Sequence, residues 1–423
     1  MAIRAFLTRM KEDTYDVDKV VDPDSCEVSA LLLEDQDRTV MINDLNGGKA
    51  VGNLFSTRDK MARFLGISSD ELMGHMMSAM SDPQPFEVVE KGEWEANVTD
   101  DFDLTRLPIP RYYPEDGGRY ITSGVIIAEY EGKRNMSFHR MMVIGKDALA
   151  VRLVPRHLFT MHKAAKSAGK ELKISICVGL CPCALLAAAS SLDYEVDELE
   201  VASALRLSAL GEPMVLARGS NGLLVPASCD FVFEGRLTMD EADEGPFVDI
   251  TGTYDHVRKQ PIIKIDRMMH VDDAVFHLLQ PGGNEHFLLM GMPREPVIFR
   301  TVRQTVPRTH AVRLTEGGCC WLNGVVSISK NKEGDGVNAI MAAFSGHPSM
   351  KHVIIVDQDI DIFDDRQVEW AMATRFQGDR LLVIPDSAGS SLDPSAEGTT
   401  YKVGVDATMP LGKEHLFRRA TLD

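Results

Sequence analysis

The stretch Arg134–His157, RNMSFHRMMVIGKDALAVRLVPRH, places one arginine inside each of two apolar runs. From Phe138 to Ile144 the residues alternate as in a strand, with Phe138, Arg140, Met142 and Ile144 on one face. From Leu149 to Val154 the run LAVRLV has the same character around Arg152. A guanidinium among apolar neighbours is costly unless it meets an anion, either a carboxylate of the chain or a bound ligand. Any fold this chain adopts must therefore bring anions to Arg140 and Arg152.

With 423 residues the chain exceeds one small core, and two or three domains are expected. Residues 1–103 read as an N-terminal α/β domain, with strands at Cys26–Leu33 and Thr39–Ile42 and helices at Ser56–Leu65 and Ser69–Met80. The rigid connector Leu107-Pro-Ile-Pro110 follows the first boundary. Residues 104–300 are rich in strands, with helices at Cys183–Ser190 and Glu195–Leu210, and suggest a barrel-like or layered sheet. Pro296–Phe299 reads as the last of these strands. Residues 301–423 return to alternating strand and helix, which implies a small parallel sheet, and end in a Gly/Ser/Pro-rich tail from Ser387 with a basic stretch at Lys413–Arg419. That stretch reads as an intersubunit arm or a frayed terminus.

A net charge of −18 argues against a nucleic-acid partner, because phosphate backbones need a dominant basic surface. The start lacks a signal-peptide core, and the longest apolar run, Cys177–Ala189, is too short to span a bilayer. A cytoplasmic protein without membrane partners is expected. Seven cysteines without framework spacing suit a reducing compartment and read as compact buried residues rather than a zinc or iron–sulfur site.

Three groups of acids compete for the arginines. In the helix Glu195–Leu210, Glu198 shares the apolar stripe with Val201, Ala202 and Leu205, while the plainer reading is a helix-start acid facing the dipole. Glu244-Gly-Pro-Phe-Val-Asp249 is a bend with a carboxylate at each end, able to aim both acids into one pocket around an arginine; the plainer reading is a solvated turn. Asp357, Asp359 and Asp361 alternate after an apolar strand, as magnesium ligands or, more plainly, as a capped strand-to-helix loop. No GxGxxG after a strand, P-loop, HExxH or GxSxG occurs.

Taken together, Asn135-Met-Ser-Phe-His-Arg140, Arg152-Leu-Val-Pro-Arg-His157, Val225-Pro-Ala-Ser, Phe233-Glu-Gly235, Glu244-Gly-Pro-Phe-Val-Asp249 and Gly389-Ser-Ser-Leu-Asp393 closely resemble the UbiD family of reversible decarboxylases that use prenylated FMN. The resemblance runs in collinear order over nearly the whole chain. It implies an α+β multidomain fold: an N-terminal α/β domain, a central split β-barrel that binds the flavin, and a C-terminal α/β domain used in homo-oligomer contacts. By the same resemblance, Asn135, His157 and Glu198 bind Mn²⁺ or Mg²⁺ beside the flavin phosphate, with K⁺ nearby. Ser137, Phe138, His139, Arg140, Arg152, Leu153, Val154, His157 and Leu158 contact the flavin. Asp249, Glu244 and Arg140 form the catalytic network, Asp249 exchanging the proton.

His139 departs from the family, many of whose members have Tyr there. The chain looks most similar to the archaeal branch that decarboxylates trans-anhydromevalonate 5-phosphate, a phosphorylated unsaturated acid, to isopentenyl phosphate in the modified mevalonate pathway. An aromatic or polyprenylated hydroxybenzoic acid is the other substrate class, and a silent flavin-binding homologue the other kind of function. A separate flavin prenyltransferase is implied as the source of cofactor.

Overall fold

In a computed structural model the described residues are 3–9, 11–396 and 398–420. The chain divides into two compact units, Met1–Leu289 and Met290–Asp423. Among the described residues no helix is long and apolar enough to cross a membrane.

The first unit is built on a nine-stranded antiparallel sheet. Its order is Tyr120–Ile121, Met141–Gly145, Ala148–Val151, Arg258–His270, Phe231–Glu244, Leu172–Val178, Val125–Tyr130 and Lys133–Phe138, with Asn97–Thr99 paired to the side of Arg258–His270. The two terminal strands do not pair with each other, so the sheet is not a closed barrel. Yet the chain passes from Phe138 in one terminal strand to Met141 beside the other in three steps, a reach of at most ~11 Å. Residues 122–124 make a second short passage between the same two ends. The His139 N–H donates to the Gly124 carbonyl at 3.2 Å and ties the passages together. The sheet is therefore curled until its ends face each other, leaving a seam crossed by two strips of chain.

This corrects the reading of Phe138–Ile144 as one strand: the strand breaks at His139 and Arg140, which lie in the seam. Both sides of the curl pack on one core containing Tyr120, Ile126, Met141, Leu149, Ile174, Phe233 and Ile263, all fully buried. Burial of this kind supplies ~25 cal/mol per Å² of apolar area. It favours a sheet that curls so that its apolar inner face closes on itself instead of lying flat.

A four-stranded sheet holds Thr14–Val21, Thr39–Leu45, Gly48–Gly52 and, from much later in the chain, Val275–Leu278, which runs parallel to Gly48–Gly52. Glu27–Glu34 is a helix, not the expected strand, because Val28 and Leu32 recur four apart and bury one stripe. In the second unit Glu295–Thr305 is likewise a helix where a strand at 296–299 is expected; Pro296 sits at its first turn, where no N–H is required. The C-terminal sheet, in the order Thr309–Leu314, Asn323–Ile328, His352–Asp357, Thr399–Asp406 and Leu381–Ala388, is parallel only in its central three strands. Its fourth strand arises inside the segment that reads as a Gly/Ser/Pro-rich tail. Asp357 and Asp359 both pair with the buried Arg375, at 2.9 and 2.7 Å, so the plainer reading of that acidic run is the structural one. None of the seven cysteines forms a disulfide, and five are buried.

Candidate active site

Arg140 is the centre of the seam. Its Nε and Nη2 donate to the two oxygens of Glu244 at 2.9 and 3.1 Å, Nη1 pairs with Asp249 at 2.5 Å, and Nη2 also reaches Asp255 at 2.8 Å. Strand Phe231–Glu244 ends on the first acid, and a two-stranded ribbon, Phe247–Val248 with Tyr254–Asp255, carries the other two beside it. Gly245, with φ +100°, and Pro246 turn the chain between them. The bend is pressed against Gly117, where a Cβ would stand 2.2 Å from the Gly245 carbonyl oxygen, so only glycine permits the approach. Asp116 accepts the Val248 N–H, and the Gly117 N–H donates to the Pro246 carbonyl. The bend is thus a docked element, and the solvated-turn reading fails.

The two catalytic candidates differ in access. The Glu244 side chain is 0% exposed and that of Asp249 is 17% exposed. Glu244 can hold the arginine; only Asp249 can also touch a substrate. Glu244 accepts a further hydrogen bond from the Tyr120 hydroxyl at 3.3 Å, and the hydroxyl oxygen in turn accepts the Gly245 N–H. The Tyr120 ring packs at a tilt against Phe247, centroids 4.4 Å apart, and Phe247 lies beneath the Arg140 guanidinium at 4.6 Å. Burial pushes the charged form of Arg140 down, but Glu244, Asp249 and Asp255 together raise its proton affinity above the ordinary arginine value. It is a permanent cation.

Along the terminal strand Lys133–Phe138 the second cluster forms. Asn135 and Glu198 are buried, and the Glu198 carboxylate accepts from Asn135 Nδ2 at 2.9 Å and from the Met136 N–H at 3.0 Å. That N–H belongs to a sheet edge without a partner strand, so Glu198 satisfies it. The helix-start role expected for Glu198 is filled by Asp197, which accepts the Leu199 N–H and pairs with Arg134. Glu198 is free to turn inward. His157, first in its own helix, brings Nδ1 to 3.7 Å from Glu198 and sets its ring edge-on to Tyr194.

The Ser137 hydroxyl links the two clusters. It lies 2.8 Å from Asn135 Oδ1 and 3.0 Å from His139 Nε2, while His139 Nδ1 lies 3.1 Å from the Arg152 carbonyl and must donate to it. One hydroxyl proton faces two acceptors, so a lone pair remains over. Burial lowers the His139 pKa to about 4, and the ring is neutral at ordinary pH. Arg152, Val154 and His157 keep partly exposed side chains, while Leu153 and Leu158 are packed in the core and the Leu153 N–H is held by Gln260.

Among the described residues no three His, Cys, Asp or Glu side chains cluster as a metal site. The Asn135–His157–Glu198 group has only two such members, and its third is an amide. Its chemistry nevertheless fits a hard divalent ion: a buried carboxylate met by two neutral donors and an imidazole, with no Lys or Arg paired to it among the described residues. The partly exposed imidazole and guanidinium, His157 and Arg152, suit a planar anionic cofactor. Sequence reading missed Tyr120, Asp255 and Arg258; the acid six residues beyond Asp249, set between a tyrosine and a histidine, was the available signal.

Models of three consecutive domains of 3-octaprenyl-4-hydroxybenzoate carboxy-lyase match the chain: the N-terminal domain over residues 8–80, the Rift-related domain over 87–284 and the C-terminal domain over 287–407. The anhydromevalonate phosphate decarboxylase of Methanothermobacter thermautotrophicus is 44% identical, over 99% of each chain. Among solved structures, the UbiD-class enzyme HmfF from Pelotomaculum thermopropionicum in complex with FMN is 35% identical with a TM-score of 0.96, over 100% of this chain and 97% of that one. An evolved dimeric form of HmfF in complex with prFMN is 33% identical with a TM-score of 0.91, at the same coverage.

Proposed function

Because this chain belongs to the UbiD family of carboxy-lyases, we propose that it decarboxylates trans-anhydromevalonate 5-phosphate to isopentenyl phosphate, using prenylated FMN. The observation that carries the reaction is the single guanidinium of Arg140 spanning a sealed acid, Glu244, and a reachable one, Asp249. The substrate rests on the archaeal relative, which matches end to end. The cofactor rests on the structural neighbours with FMN and prFMN.

When bound, the prenylated flavin supplies the electron sink for breaking the carbon–carbon bond. The chain does the rest. Glu244, held by two hydrogen bonds, fixes the plane of Arg140, so Nη1 points steadily at Asp249. Arg140 orients the substrate carboxylate by the same charged donors. Asp249, which solvent can reach while Glu244 is sealed, relays a proton to the carbon that CO₂ leaves, and its restricted exposure limits direct delivery by bulk water. Asn135, Glu198 and His157 would hold Mn²⁺ or Mg²⁺ against the flavin phosphate, with K⁺ nearby. Ser137, Phe138, His139, Arg152 and Val154 would flank the flavin.

Three domains are also the reading of the three family-model spans, 8–80, 87–284 and 287–407, whose boundaries fall earlier than the expected 103/104 and 300/301; the curled sheet would be the split barrel. The same reading places the enzyme in the cytoplasm as a homo-oligomer, supplied with flavin by a separate prenyltransferase.

Anaerobic turnover of trans-anhydromevalonate 5-phosphate by protein loaded with prenylated FMN and Mn²⁺ tests the proposal. Isopentenyl phosphate and CO₂ are expected; turnover of aromatic acids alone would refute the substrate. Glu198→Gln tests the metal cluster without activity: it keeps the shape but removes the charge, so metal content and flavin retention should fall together, by about tenfold or more. Unchanged occupancy of both would remove Glu198 from the ligand set.

A further inference from the structure

Three guanidiniums and three carboxylates meet in the seam: Arg140, Arg152 and Arg258 with Glu244, Asp249 and Asp255. The network is balanced in charge, so the part each acid plays depends on which N–H it occupies. An arginine side chain has five N–H donors. Arg140 gives Nε–H and one Nη2–H to the two oxygens of Glu244, its second Nη2–H to Asp255, and one Nη1–H to Asp249. Among the described residues the other Nη1–H has no acceptor. An arriving carboxylate therefore finds its open donor on the nitrogen that already holds Asp249.

The two acids at the end of the guanidinium are held differently. Asp255 Oδ2 faces Arg258 at 2.5 Å, Arg140 at 2.8 Å and Arg152 at 3.8 Å, and Oδ1 accepts the His256 N–H at 2.9 Å. Among the described residues the Asp249 carboxylate has hydrogen bonds only from Arg140 and from the Ile250 N–H. Charge-assisted bonds are the strong ones, so a competing carboxylate displaces Asp249 before Asp255. Asp255 also stands directly across the ribbon from Phe247, whose ring lies beneath the Arg140 guanidinium. One ribbon thus supplies both the floor under Arg140 and the stop at its Nη2 side.

We propose that Asp255 is a positioning residue: by filling the last Nη2–H of Arg140 it directs the substrate carboxylate onto Nη1, beside Asp249. This rests on the proposed function, in which Asp249 relays the proton. CO₂ then leaves next to the acid that serves the same carbon. Without Asp255, a carboxylate can span Nη1 and Nη2 across the end of the guanidinium. That two-bond geometry binds well but shifts the reacting carbon away from Asp249, and small misplacements of that kind are costly in rate.

Protein loaded with ordinary FMN is titrated calorimetrically with trans-anhydromevalonate 5-phosphate, and kcat is measured in protein loaded with prenylated FMN. Asp255→Ala should retain FMN and bind the acid within about threefold of the wild type or more tightly, while kcat falls by about tenfold or more. Asp255→Asn, whose amide oxygen can still accept from Nη2, should recover part of kcat. An unchanged kcat in Asp255→Ala would overturn the positioning role. So would equal losses of affinity, flavin content and kcat, the mark of a merely structural residue. If the wild type turns over only an aromatic acid, the same split measured with that acid would uphold Asp255 and refute the substrate. A wild type that decarboxylates no acid would sink the reaction, and the role of Asp255 with it.

Discussion

Asp249→Asn is expected to lower kcat by about 10²–10⁴-fold, the range that a positioned acid or base contributes, while FMN binding stays within a factor of two. The substitution is nearly isosteric. The amide oxygen can keep the Ile250 N–H, which lies 2.7 Å from Asp249 Oδ1, while the other oxygen, which accepts from Arg140, becomes an amide NH2. Arg140 keeps two full counter-charges in Glu244 and Asp255, so the seam has no electrostatic reason to open. What is lost is the transferable proton. Single-turnover measurement with prenylated FMN separates this from slow product release, and wild-type turnover by the variant would end the assignment of Asp249. Glu244→Gln should differ in kind. Glu244 is sealed from solvent, and its loss acts through the orientation of Arg140.

Arg140→Met should produce the largest loss of stability in the molecule. It leaves Glu244 fully buried with the Tyr120 hydroxyl, at 3.3 Å, as its remaining donor. Removing one partner of a buried ion pair typically costs about 3–5 kcal/mol, because the other charge stays desolvated. Phe247 also loses the cation lying 4.6 Å from its ring centre. Urea unfolding should show the drop, and the double variant with Glu244→Gln should recover most of it, since the stranded charge is then gone. A loss below about 1 kcal/mol would mean that water reaches Glu244. Turnover should vanish in both variants, which separates the structural effect from the chemical one.

Much of this site was legible before any fold was known. Arginines embedded in apolar runs demand anions, and the bend with an acid at each end, Glu244–Asp249, was a visible source of them. Glu198 on an apolar helical stripe was likewise a visible anomaly. The helices Glu27–Glu34 and Glu295–Thr305 read as strands at 26–33 and 296–299 because those are short apolar runs whose helical and extended periodicities overlap, and packing decided between them. The C-terminal strand Thr399–Asp406 was hidden by its Gly- and Ser-rich approach, since breaker residues mark the loop itself and carry little information about the element beyond it.

The sequence alone determined which residues are chemically out of place and which class of partner each requires, because the cost of burying a charge belongs to the side chain and is the same in any fold. It could not determine that Arg140 lies between strands rather than in one. That comes from the curl of the nine-stranded sheet, which brings its two ends close enough for a three-step passage from Phe138 to Met141. Nor could it determine that Asp249 is reachable while Glu244 is sealed, or that Asp255 gathers three arginines. Those facts depend on contacts across more than a hundred positions of chain, and only the closing of the core around the seam fixes them.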